Sequence, residues 1–94
     1  MSWPEKIPIL DESDLCREVL SNHQGKHCLL GWKDEVFGIM HYEESGVVLA
    51  KLTNEIGGGL IHEFNDDRRN SLKKVAAVWN RVMRKLGYTV PCDR

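Results

Sequence analysis

Seven apolar residues near the C-terminus, Leu72, Val75, Ala76, Trp79, Val82, Met83 and Leu86, recur mostly at three- and four-residue intervals. That spacing gathers them on one stripe of an α-helix of about four turns, whereas a strand would scatter them over both faces. Ser71 is placed to cap the start, and Gly87 to end the helix in a left-handed conformation with Tyr88 folding back toward Met83. Pro91 forbids continuation. The opposite side carries Lys73, Lys74, Arg81, Arg84 and Lys85. A helix this one-sided needs an apolar layer to lie on, and 94 residues have room for one core only.

The remaining chain supplies that layer. Leu10-Asp11-Glu12-Ser13-Asp14-Leu15 predicts a helix start, with Asp11 as cap, Asp14 in the first turn and Leu10 stapled onto Leu15. The helix is expected to run to about Asn22 with Leu15, Cys16, Val19 and Leu20 inward, and Gly25 to turn the chain. Leu29, Trp32, Val36 and Phe37 favour a second helix ending near Gly38. Val48, Leu49, Leu52 and Ile56 favour a third, although Val47-Val48-Leu49 also suits a strand. Gly57-Gly58-Gly59 breaks whatever precedes it. The fold class expected is mainly α, a compact single domain of about four helices over 1–94, with 1–9 extended and 88–94 a tail. The alternative is α+β with one β-hairpin at 36–52.

Charge is divided along the chain. Residues 1–67 hold 5 Lys/Arg against 13 Asp/Glu, and residues 68–94 hold 8 against 1. The two parts either attract each other within one fold or leave a basic surface for an acidic partner. No apolar run approaches the ~20 residues of a membrane span, and no signal-type stretch follows the N-terminus. Cys16, Cys28 and Cys92 are odd in number and widely spaced, which suits reduced thiols in the cytoplasm.

The order Cys28-Leu29-Leu30-Gly31, then Phe64-Asn65-Asp66 and a Ser71-capped helix, resembles small uncharacterised proteins of phages and bacteria with a Cys-x-Leu-Gly, Asn-Asp and Ser/Thr-capped helix pattern. The resemblance spans about residues 26–80 and implies a mainly helical domain with no assigned activity. Within that pattern, Lys74 stands where such helices often place Glu, so Ser71 lacks a reciprocal capping partner.

Cys28 follows His27 at an expected helix N-terminus, where the helix dipole favours a thiolate; a nucleophile there would draw on a histidine and on Asn65 or Asp66. The competing expectation is a buried, unreactive thiol where Cys28–Gly31 meets the final helix, Gly31 allowing close backbone approach and Asn65-Asp66 securing the turn ahead of that helix. His23, His27, Cys28, His41 and His62 can all bind metal, but none shares a ligand spacing on one assured helix, so neither metal nor cofactor is expected. The glycine triplet lacks the Gly-Lys-Ser/Thr of a phosphate loop. Lys73, Lys74, Arg81, Arg84 and Lys85 form the strongest binding signal, for nucleic acid or another partner, yet a pI of 6.4 favours a solvated face. The function expected is a cytoplasmic, non-enzymatic accessory protein, phage-related by its resemblance, whose partner is a protein or a second copy. A nucleic-acid-associated role using the basic face ranks second, and a thiol- or metal-dependent enzyme around Cys28 third.

Overall fold

The computed structural model describes residues 3–88. Four α-helices make up the fold: α1 (Leu29–Phe37), α2 (Tyr42–Glu55), α3 (Ile61–Asp66) and α4 (Leu72–Lys85), preceded by a single 3-10 turn at Glu12–Asp14. The chain is mainly α, and the 36–52 hairpin does not form. The four helices are not the four expected, because α3 takes the place of the helix foreseen at 11–22.

The amphipathic C-terminal stripe folds as its spacing dictates. Val75, Ala76, Trp79, Val82 and Met83 are buried, and Leu72 and Leu86 are half-buried. Ser71 Oγ accepts from the Lys74 amide. At the other end Gly87 N–H donates to Arg84 and Tyr88 N–H to Met83, the paired closure that a left-handed Gly87 at φ +97° permits. Helix α2 ends in the same way, with Gly57 donating to Asn54 and Gly58 to Thr53.

Helix α1 lies between α2 and α3, and α4 packs on α2, α3 and the 3-10 turn. Leu29, Phe37, Val48, Leu52, Ile61 and Trp79 form the centre of the core. The N-terminal segment crosses α4 without forming helix or strand. Trp79 Nε1 donates to the Pro8 carbonyl at 3.0 Å, and Tyr88 OH to that of Pro4 at 2.9 Å. The Asn80 amide accepts from Leu10 N–H and donates to Leu10 C=O, both at 2.9 Å. The segment is thereby satisfied as a strand neighbour would satisfy it.

The expected 11–22 helix fails after one turn. Asp11 caps and forms the reciprocal box with Asp14, and Leu10 and Leu15 are buried as foreseen. Beyond Leu15 the backbone groups a helix would use internally pair with residues 26–28: Cys16 N–H donates to His27 C=O, Asn22 N–H donates to Lys26 C=O, and Leu20 C=O accepts from Cys28 N–H. Glu18 has φ +73°, which no right-handed helix accommodates. Val19 and Leu20 point to solvent.

Candidate functional site

Two groups of residues marked by the sequence, and one that it did not mark, define the surfaces available for function. The first is a polar node around Asn65, which is completely buried on α3. Leu15 pairs with His27 in a parallel bridge, and the next step of such a ladder would join Cys16 C=O to Leu29 N–H. The Asn65 amide stands in that gap, accepting from Leu29 N–H at 3.0 Å and donating to Cys16 C=O at 2.9 Å. Asp66 Oδ1 accepts from Glu18 N–H, holding the left-handed residue. The Arg17 guanidinium then donates to the carbonyls of Asn65, Asp67 and Asn70 at 2.7–3.0 Å, filling the C-terminal end of α3.

Cys28 caps α1, its Sγ accepting from Gly31 N–H at 3.4 Å, and is buried. Gly31 serves close approach, but against the Leu20 carbonyl rather than the final helix: a Cβ there would lie 2.0 Å from that oxygen. Asn65 and Asp66 satisfy backbone donors as expected, but these belong to Leu29 and Glu18, far away in sequence. The local turn is made by Asp67, which accepts from Arg69 N–H. The Arg69 side chain and amide hold the Asp67 carboxyl down at about 2. Burial raises the Cys16 thiol, whose Sγ faces the Val19 and Lys26 carbonyls. His27 lies edge-on to Trp32 at 4.7 Å. No three His, Cys, Asp or Glu side chains among the described residues are grouped to hold a metal. Cys92 lies outside those residues.

The second group is the basic side of α4. Lys73, Lys74, Arg81, Arg84 and Lys85 are all exposed. Arg81 and Lys85 both reach Glu55 of α2 at 2.6 Å, and together they hold its carboxyl below the usual range. Lys74 donates to Asn70 Oδ1 and lies over the Phe64 ring. Lys73 and Arg84 form no ion pair among the described residues. The charge division of the sequence is therefore spent in part inside the fold.

The third is the turn from α1 into α2 together with the outer face of α2. Ile39 is 90% exposed, Met40 86% and Tyr42 71%. The turn is held by backbone bonds from Gly38 to Asp34, His41 to Phe37 and Ser45 to His41, so these apolar side chains are presented by ordered backbone. Tyr42, Gly46, Leu49 and Thr53 follow at helical intervals along the side of α2 away from buried Val48 and Leu52. The exposed charges on α2 are Glu43 near one end and Lys51 toward the other. The residue pattern alone left this surface unmarked, because Val36–Tyr42 reads as the end of a helix, with the start of a strand as the alternative. The available signal was the run Ile39-Met40-His41-Tyr42 between a helix-ending Gly38 and the acidic first turn Glu43-Glu44.

Protein-family models, curated proteins and solved structures were each compared with the chain, and none matches it. Among the described residues no helix is long and apolar enough to cross a membrane.

Proposed function

We propose that this is a non-enzymatic interaction protein of the cytoplasm, whose contact surface is the α1–α2 turn with the outer face of α2. The observation that carries the reading is the near-complete exposure of Ile39, Met40 and Tyr42 on an ordered turn. Exposing three large apolar side chains side by side costs solubility and gains nothing in the fold, so their use lies in association. Met and Tyr are side chains that interfaces favour, and Lys and Glu, which interface cores exclude, are sparse along this face. Reduced Cys16 and Cys28 support a cytoplasmic setting. The basic side of α4 is a weaker candidate, since Arg81 and Lys85 are engaged by Glu55.

The test is photo-crosslinking in the cells that make the protein, with a photoreactive side chain at Met40 and, as control, at exposed Glu12 on another surface. Discrete adducts from position 40 and none from position 12 are expected. Equal labelling from both positions, or none from position 40, would remove the basis for the reading.

A further inference from the structure

Where a helix was expected, the chain lays two extended pieces along residues 26–28. On one flank His27 pairs with Leu15 in a parallel bridge, through His27 N–H to Asp14 C=O and Cys16 N–H to His27 C=O. On the other it pairs with Ser21 in an antiparallel bridge, through Asn22 N–H to Lys26 C=O and Cys28 N–H to Leu20 C=O. Residues 17–20 must therefore cross from one flank of 26–28 to the other. Cys16 lies under that crossing, its Sγ 3.5 Å from the Lys26 carbonyl oxygen and 3.6 Å from that of Val19.

The register that pairs Leu15 with His27 pairs Cys16 with Cys28. Paired residues of a parallel ladder turn their side chains to the same face, about 4.7–4.9 Å apart from strand to strand. A disulfide spans about 4.4–6.8 Å between Cα atoms. The Asn65 amide enters only beyond the pair, between Cys16 C=O and Leu29 N–H. The thiols also sense each other: after burial, the Cys28 sulfur is the next cause that raises the Cys16 thiol. No residue from 17 to 25 is buried, so little core holds the crossing shut over the pair.

We propose that Cys16 and Cys28 are a redox-modification site, joined reversibly into an intramolecular disulfide by a small-molecule disulfide oxidant of the glutathione class. The inference is independent of the contact surface on α2. Cys16, which is partly exposed, reacts first: its thiolate attacks the oxidant, forms a mixed disulfide and releases one small thiolate. Buried Cys28, held by the Gly31 N–H at 3.4 Å, then attacks the Cys16 sulfur as its thiolate and displaces the second. The protein gives up two protons and two electrons, and the oxidant leaves as two reduced thiols. A reducing cytoplasm keeps the pair open, and an oxidising challenge closes the 16–28 loop.

The experiment is to equilibrate the full chain with mixtures of oxidised and reduced glutathione, trap the thiols by alkylation and map the peptides by mass spectrometry. A 16–28 disulfide is expected, with Cys92 still free to alkylate and full reversal by dithiothreitol. In Cys92→Ser the equilibrium constant for the bond should be roughly tenfold or more higher in the folded chain than in guanidinium chloride, because the fold already holds the pair in register. Circular dichroism should show the helices intact in the oxidised form. A constant no higher in the folded chain than in the unfolded one overturns the inference. So does a folded chain that yields only mixed disulfides, or a bond made through Cys92 instead.

Discussion

At the residue scale the fold turns on a few side chains that stand in for backbone. Asn65 is the clearest case, since its amide occupies a step of a parallel ladder between Cys16 and Leu29. Asn65→Ala leaves a buried N–H and an inward carbonyl without partners, and should cost about 2–5 kcal/mol in denaturant unfolding; a loss below about 1 kcal/mol would mean that water replaces the amide. Two glycines make opposite predictions for the same substitution. Gly31→Ala drives a methyl to within 2.0 Å of the Leu20 carbonyl and should destabilise by about 1–3 kcal/mol or more. Gly46→Ala, in an open helix interior, should stabilise the monomer by about 0.5–1 kcal/mol, seen as a higher Tm in dilute solution. Asp67 should titrate at about 2 by carbon-detected NMR and return toward the ordinary Asp range in Arg69→Ala. A depressed carboxyl favours the folded state above its unfolded pKa and loses that contribution as pH falls through the folded value. Asp67 and Glu55 therefore both add to acid lability below about pH 4.

At the element scale, α4 is the beam to which the rest is tied. Its apolar stripe carries the core, its Asn80 and Trp79 hold the N-terminal segment together with Tyr88 just beyond its end, and its outer cations reach Glu55 of α2. Truncating Trp79, which is fully buried and bonded to Pro8, should cost about 3–5 kcal/mol and loosen residues 3–10 as well. Hydrogen exchange would show both effects, and unchanged protection of Leu10 N–H in Trp79→Ala would mean that Asn80 alone retains the segment. Arg17 holds the other junction, where the Asn65 and Asp67 carbonyls at the end of α3 and that of Asn70 just before α4 converge on one guanidinium. Lysine cannot reproduce that fork.

At the scale of the whole molecule, the acidic and basic parts of the chain meet partly within one fold and partly at its surface. Glu55 absorbs two cations, and Glu18 faces Arg68 at 3.8 Å. On α4, Lys73, Lys74 and Arg84 carry basic charge that no described acid answers, so duplex or single-stranded nucleic acid should bind weakly and lose most of its affinity between about 50 and 200 mM salt, as fluorescence anisotropy would record. Submicromolar binding at the higher salt, abolished by reversing Arg81 and Arg84 to glutamate, would make the basic side of α4 the functional surface in place of the α1–α2 turn.

How much was legible follows from the range of the forces involved. Ser71, Gly87 and the stripe between them act within one element, so α4 could be read whole from its residues, and so could Asp11 as a cap and Gly38 and Gly57 as stops. Residues 16–22 could not, because their backbone donors are claimed by residues 26–28 and by Asp66, and only the assembled fold brings those acceptors within reach. A short apolar pattern such as Leu15, Cys16, Val19 and Leu20 loses to tertiary bonds of that number. Asn65 and Asp66 carried a legible chemistry, the satisfaction of backbone donors, but which donors was decided by α3, a helix of six residues whose pattern is too short to announce itself. The apolar turn at Ile39–Tyr42 is likewise a product of the tertiary structure: sequence determines that these side chains are apolar, and only packing decides that the core closes without them.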